Sequence, residues 1–197
     1  KPIDNVEVKL ADDGELCVRG PSVMTGYWNL PDKTAEVFDA DGYFHTGDIA
    51  EIDDDGFIRI TDRKKDIIVT AGGKNVAPQP IENELKRSPL IDNAVLIGDR
   101  RPFIIALVSP NEEELEKWAA AAGLGDASVE ELSHNAKLRA EIAKVIETTN
   151  ADLARYEQIK KFEVLPLMLS IEAGHLTPTL KVKRRVLATV EELADER

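Results

Sequence analysis

The first third of the chain alternates apolar and polar residues over short stretches, which is the pattern of half-buried β-strands. Residues 6–10 and 15–19 alternate in this way on either side of an Asp-Asp-Gly turn and predict a β-hairpin. Residues 49–52 and 57–60 flank three aspartates and a glycine and predict a second hairpin. The pattern therefore indicates a small, β-barrel-like subdomain with one short helix between its hairpins.

Beyond residue 66 the pattern changes to apolar runs interleaved with helical spacings. Buried strands are expected at residues 94–97, 103–108 and 162–165, and helices at residues 81–87, 112–122, 135–155 and 183–194. This alternation predicts an α+β lobe in which helices flank a small antiparallel sheet. The fold class of the whole chain is therefore α+β, with a boundary near residues 62–66.

Composition excludes several classes of protein. Hydrophobic residues make up 43 % of the chain and charged residues 31 %, as in ordinary globular domains. The sequence contains neither a long apolar run that would span a membrane nor a secretory signal pattern. With Cys17 as the single cysteine, no internal disulfide can form, which favours a reducing, cytoplasmic location and leaves peripheral membrane contact open. Because the chain opens with Lys1 rather than Met, we expect it to be part of a longer protein.

The net charge of −12 is concentrated in the first third, where residues 1–62 carry 5 basic and 15 acidic side chains. Such an acidic surface disfavours nucleic acid, whose binding depends on neutralised phosphates. An anionic ligand must therefore meet a local basic cluster, and residues 63–65 and 181–185 form two. Two solvated basic patches would give the same pattern.

Few individual residues suggest chemistry when they are taken one at a time. Asp48 follows a glycine and precedes an apolar strand, so its carboxylate could accept hydrogen bonds from a sugar diol or could only form a turn. Cys17 is interpreted as a packing residue and His45 as a strand residue, because no partner is evident for either. Gly72 and Gly73 let a backbone or a thin ligand come close, but their spacing is not that of a phosphate loop.

The motifs carry more information together than singly. In order, they are residues 14–28, the Thr-Gly-Asp at 46–48, and residues 62–66 followed by 72–75. In this order and spacing the chain resembles the C-terminal part of an AMP-forming acyl-CoA synthetase of the acyl-adenylate-forming superfamily. Residues 155–160 and 176–181 are similar to stretches of its long-chain fatty-acid–CoA ligase branch. The resemblance extends over essentially all 197 residues.

The resemblance implies a division of the chain into three parts. Residues 1–62 would be the last β-rich subdomain of a large N-terminal lobe, residues 63–65 a hinge, and residues 66–197 a mobile C-terminal lobe. The partners implied are that N-terminal lobe, ATP, a fatty acid and CoA. Mg²⁺ would accompany ATP, with its ligands before residue 1. This chain alone is accordingly expected to be inactive.

The resemblance also implies roles for individual residues. Asp48 and Arg63 would bind the nucleotide, with Asp48 on the ribose hydroxyls. Lys65 would be the hinge residue, and Lys181 the catalytic lysine that reaches the α-phosphate during adenylation. Leucine rather than the common glycine precedes Lys181, and this departure leaves Lys183 as a second, weaker candidate for that role.

A channel for the pantetheine arm of CoA would run past Gly72, Gly73 and Lys74. Two other interpretations remain open at this point. One is another acyl- or aryl-adenylate-forming ligase, because the acyl pocket would lie upstream. The other is a non-catalytic α+β binding domain.

Overall fold

The chain divides into two units, Lys1–Ile67 and Ile68–Arg197. They are called unit 1 and unit 2 below. The computed structural model describes residues 1–179 and 182–183. Most of the predicted helix over residues 183–194 therefore lies outside the described residues.

Unit 1 is a four-stranded antiparallel sheet in the order β1-β2-β3-β4 with one helix. Its elements are β1 (Glu7–Leu10), β2 (Glu15–Arg19), α1 (Pro31–Val37), β3 (Phe44–Ile52) and β4 (Ile58–Arg63), followed by a 3-10 helix (Lys64–Asp66). Both predicted hairpins are present. Within residues 1–67, all of which the structure describes, β1 and β4 remain unpaired edges, so the sheet is open and does not close into a barrel.

Unit 2 contains a two-stranded hairpin and a three-stranded sheet in the order β7-β8-β9. The strands are β5 (Ile68–Val69), β6 (Asn75–Val76), β7 (Ile91–Ile97), β8 (Ile104–Pro110) and β9 (Ile159–Val164). The predicted antiparallel pairing holds for β7 and β8, whereas β9 joins β8 in parallel. The parallel pairing follows from the long helical connection between these two strands, which returns the chain to the same end of the sheet.

The helices of unit 2 are α2 (Pro78–Leu85), α3 (Glu112–Ala121), α4 (Val129–Ser133) and α5 (Ala136–Ala151). Prolines open α2, where the first turn needs no amide donors. The side chains of Asn111 and Asn135 accept hydrogen bonds from amides in the first turns of α3 and α5. Ser128 and Glu131 form a reciprocal capping box on α4.

The two faces of the unit 2 sheet bury separate hydrophobic clusters because successive strand residues point to opposite sides. On one face, Ile104 packs with Leu85 of α2 and Leu138 of α5, all fully buried. On the other face, Val95 and Leu107 form a smaller cluster with residues of the segment after β9. The α+β class predicted from the sequence is confirmed. No helix in the described part of the chain has the length and apolar character needed to cross a bilayer.

Candidate functional site

Asp48 and Arg63 are direct partners in the β3–β4 ladder of unit 1. Their side chains also meet, with 2.8 Å between Arg63 Nη1 and Asp48 Oδ1. The Asp48 side chain stays 26 % exposed and that of Arg63 54 %, so a ligand can reach both. The sheet therefore brings together the two residues that were expected to bind a nucleotide.

The backbone around Asp48 departs from regular pairing. Between the pairs Cys17–His45 and Glu15–Ile49, β3 contains three residues where β2 contains only Leu16. Residues 46–48 therefore bulge from the ladder, with Gly47 at φ +73°, a left-handed value that favours glycine.

The Glu15 carboxylate lies under this bulge and is buried. Its Oε1 accepts a hydrogen bond from the Gly47 amide at 2.8 Å, and its Oε2 lies 2.8 Å from His45 Nδ1 and from Lys64 Nζ. Lys64 also pairs with Asp13 at 2.7 Å. Burial alone raises the pKa of Glu15, but the hydrogen bonds from Lys64, His45 and Gly47 outweigh burial and hold that pKa below its usual range. Glu15 is therefore a carboxylate at neutral pH.

Cys17 lies beside this cluster, with its Sγ 3.6 Å from His45 Nδ1. The histidine comes from the neighbouring strand, which local sequence could not show. Burial and the nearby charge of Glu15 raise the pKa of the Cys17 thiol. The thiol therefore stays protonated at neutral pH, as suits a packing residue rather than a nucleophile.

Lys65 occupies the middle of the 3-10 helix that follows β4 and is exposed. Its neighbour Lys64 is held by two ion pairs, with Asp13 and Glu15. The hydrogen bonds to Asp13 and to Glu15 raise the pKa of Lys64. Lys64 therefore stays charged well above neutral pH. An anchored residue thus directly precedes the position expected to be the hinge.

Gly72, Gly73 and Lys74 lie in the tight turn between β5 and β6 of unit 2. Thr70 closes the turn, accepting the Gly73 amide at 2.8 Å through its carbonyl and the Lys74 amide at 3.1 Å through its hydroxyl. Gly73 has φ +71°, and among the described residues no atom lies within 4 Å of a Cβ built there. The Lys74 ammonium lies 5.9 Å from the centre of the Tyr156 ring. Both glycines therefore present open backbone.

Lys181 lies outside the described residues. On either side of it, Leu176 and Val182 form an antiparallel bridge, and the Lys183 amide donates to the His175 carbonyl at 2.9 Å. Lys183 is exposed.

Sequence reasoning assigned no role to Glu15, whose buried carboxylate bonds His45, Gly47 and Lys64. Its partners come from 30 to 49 residues away along the chain, so no local motif reveals them. The available signal was an acidic residue opening a strand whose next residues are apolar. Residues 1–179 and 182–183 contain no cluster of three or more histidine, cysteine, aspartate or glutamate side chains suited to a metal ion.

Comparison with known protein families decides what this chain is related to. Residues 65–196 match the family described as AMP-binding enzyme C-terminal domain. The chain belongs to this family. The resemblance to acyl-adenylate-forming enzymes inferred from the motifs is thereby confirmed.

Curated relatives of this family member include fatty-acid–CoA ligases. The chain is 47 % identical over 95 % of its length to the long-chain-fatty-acid–CoA ligase FadD15 of Mycobacterium tuberculosis, and covers 31 % of that protein. It is 41 % identical over 90 % of its length to long-chain-fatty-acid–CoA ligase 5 of Rattus norvegicus, and covers 26 % of it. The chain thus spans about a third or less of the length of these relatives.

Solved structures show the same fold. The adenylation domain of a carboxylate reductase from Mycobacterium chelonae superposes with a TM-score of 0.73 at 26 % identity. The match covers 99 % of this chain and 31 % of that one. An amide bond synthetase from Marinactinospora thermotolerans matches with a TM-score of 0.66 at 24 % identity, over 96 % of this chain and 35 % of its own.

Proposed function

We propose that this chain is the C-terminal part of an ATP-dependent, AMP-forming ligase that joins a fatty acid to CoA. The observation that carries the proposal is the 47 % identity over 95 % of the chain to a protein named as a long-chain-fatty-acid–CoA ligase. The pairing of Asp48 with Arg63 supports it, since a carboxylate and a guanidinium that lie side by side and remain partly exposed suit a ribose and its phosphate.

The proposed reaction begins with adenylation. A carboxylate oxygen of the fatty acid attacks the α-phosphorus of ATP, and the bond to pyrophosphate breaks, which gives acyl-AMP. Asp48 accepts hydrogen bonds from the ribose hydroxyls, while Arg63 steadies that carboxylate and faces the neighbouring phosphate. Lys181 stabilises the negative charge at the α-phosphate. Mg²⁺ would accompany ATP and offset the charge of its phosphates, with ligands outside the described residues.

The second half-reaction transfers the acyl group. The thiol sulfur of CoA attacks the acyl carbon, the carbon–oxygen bond to AMP breaks so that AMP leaves with its electron pair, and the thiol proton passes to water. We propose that residues 63–65 are a hinge between residues 1–62 and the mobile lobe 66–197, with Lys65 as its pivot. Rotation replaces Lys181 at the site by Gly72, Gly73 and Lys74, whose exposed turn admits the thin pantetheine arm.

The exposed apolar surface of unit 1 favours the proposal that a large N-terminal lobe is its partner. Unit 1 leaves most of the exposed large apolar side chains of the described residues uncovered: Ile3, Leu10, Met24, Tyr27, Trp28, Leu30, Ile52, Phe57 and Ile60. So much exposed apolar surface on 67 residues is typical of a surface that another part of a protein covers. The N-terminal lobe proposed here would cover it.

A second candidate function stays within adenylate-forming enzymes. The fold is shared with the adenylation domain of a carboxylate reductase and with an amide bond synthetase. An aryl acid or a carrier protein could therefore replace the fatty acid or CoA in the complete enzyme. The higher identity to fatty-acid–CoA ligases favours the first candidate.

The test is a substrate screen of the full-length protein in two assays. Pyrophosphate exchange reports adenylation, and thioester formation from pre-made acyl-AMP reports transfer. We expect exchange with long-chain fatty acids and transfer to CoA, and neither activity from the 197-residue chain alone. Exchange confined to aryl acids would favour the second candidate. Absence of exchange with every acid would contradict adenylation altogether.

A further inference from the structure

The bulge at residues 46–48 leaves backbone amides without ladder partners, because three residues of β3 lie opposite Leu16 alone. A buried or half-buried amide without an acceptor is costly, so other groups must satisfy it. The Asp48 amide bonds the Thr46 hydroxyl at 3.1 Å, and that hydroxyl donates to the Leu16 carbonyl at 2.8 Å. The Gly47 amide bonds Glu15 Oε1. Side-chain oxygens of Thr46 and Glu15 thus accept the amides of Asp48 and of Gly47 in place of ladder carbonyls.

The other oxygen of Glu15 faces a different element. Oε2 accepts from Lys64 and His45, and Lys64 is the first residue of the 3-10 helix after β4. The Glu15 side chain is only 4 % exposed, so this ion pair is shielded on the carboxylate side and is stronger than a surface pair. One buried carboxylate therefore joins the Asp48 bulge to the end of β4.

We propose that Glu15 is a positioning residue with two separable actions. Its Oε1 sets the backbone that presents Asp48 to the nucleotide. Its Oε2, through Lys64, fixes the stationary side of the pivot at Lys65. The proposal rests on the proposed function for the roles of Asp48 and Lys65, whereas the contacts of Glu15 stand independently of it.

The two oxygens of Glu15 have different partners, so substitutions that remove one or both sets of contacts should have different effects. Glu15→Gln keeps a carbonyl oxygen for the Gly47 amide but loses the charge that holds Lys64. Glu15→Ala loses both. Lys64→Met removes the ammonium and keeps an unbranched apolar side chain. Glu51→Gln is the matched control, because Glu51 also lies in the unit 1 sheet and forms an ion pair, with Arg59, but is exposed.

The first measurement is amide hydrogen exchange at Gly47 in the 197-residue chain. Glu15→Ala should speed exchange at Gly47 by about tenfold relative to the rest of β3, the scale of one lost hydrogen bond. Glu15→Gln, Lys64→Met and Glu51→Gln should leave it near wild type. Equal protection of Gly47 in wild type and Glu15→Ala would overturn the first action.

The second measurement separates the half-reactions in the full-length protein. Glu15→Ala should raise the KM for ATP in adenylation by about tenfold. Glu15→Gln and Lys64→Met should keep that KM and slow transfer to CoA several-fold. Thermal unfolding of every variant identifies any that fail to fold. A parallel loss of both half-reactions in folded Glu15→Gln and Lys64→Met would overturn the second action.

The experiments also separate an error in the proposed function from an error in the role proposed for Glu15. A wild-type full-length protein without adenylation would refute the ligase assignment, while the exchange at Gly47 would still decide whether Glu15 positions the Asp48 bulge.

Discussion

Asp48 and Arg63 lie opposite each other in the β3–β4 ladder, and their side chains form an ion pair of 2.8 Å. Because the two residues are fixed by the same ladder, their relative position depends on unit 1 alone. Both side chains remain partly exposed, so the pair is worth little to stability and remains available to a ligand.

Replacing Asp48 tests its proposed contact with the ribose. In the full-length protein, Asp48→Ala should raise the KM for ATP by about 10- to 100-fold, since hydrogen bonds to a charged acceptor are each worth about 1.5–3 kcal/mol. Steady-state adenylation kinetics over a range of ATP concentrations measure this effect. Glu51→Gln, an exposed ion-pair variant of the same strand, is the control. An unchanged KM would mean that Asp48 only shapes the turn.

Proline at position 65 tests the hinge. Lys65→Pro fixes φ near −65° and restricts the preceding Lys64, so the two states proposed for the hinge cannot both form. One half-reaction should therefore fall much more than the other, whereas Lys65→Ala should affect both only slightly. Single-turnover assays of each step measure the ratio. Equal losses in Lys65→Pro would indicate misfolding or a direct role for Lys65.

The glycine pair in the β5–β6 turn offers a test without backbone strain. A Cβ at Gly72 would meet only Thr70 Oγ1, at 4.0 Å among the described residues, and Gly72 does not have a positive φ. Gly72→Ala should thus keep the stability of the chain, yet slow transfer to CoA if the pantetheine arm passes there. Gly73→Ala carries the added strain of φ +71°. Normal transfer in Gly72→Ala would remove Gly72 from the proposed channel.

Unit 1 should be the less stable half of this chain. It buries only three apolar side chains, Leu16, Cys17 and Ala50, whereas the large cluster of unit 2 draws on helices and strands from Ile68 to Val164. Its acidic excess adds repulsion. Amide exchange should therefore be faster over residues 1–62 than over residues 80–165. Equal or greater protection in the first third would contradict this prediction.

The hydrophobic pattern was sufficient for elements that are long or clearly periodic. The helix predicted over residues 112–122 is α3, and the strands predicted over 94–97 and 103–108 form the β7–β8 pair. The helix predicted over residues 135–155 ends earlier, at Ala151. α4 has five residues, too few for a periodic signal, although its Ser128–Glu131 capping box was readable.

Only part of the candidate site could be predicted from the sequence. Asp48 and Arg63 could be named from motifs, because each stands at a fixed place in its own segment. Glu15 also lies in a motif, within residues 14–28, but its role could not be inferred there, since that role comes from a bulge and from partners on two other elements. Contacts that depend on register and on distant segments are invisible to local patterns.

The lysine at position 181 provides the most direct test of the account, because it separates the two proposed half-reactions. The measurement compares acyl-AMP formation with thioester formation from pre-made acyl-AMP, in full-length wild type, Lys181→Ala and the control Lys183→Ala. Lys181→Ala should slow adenylation by about 10²–10³-fold, the usual scale for one lost electrostatic contact at a transition state, and should spare thioester formation. Normal adenylation in Lys181→Ala, or the same loss in Lys183→Ala instead, would contradict the account.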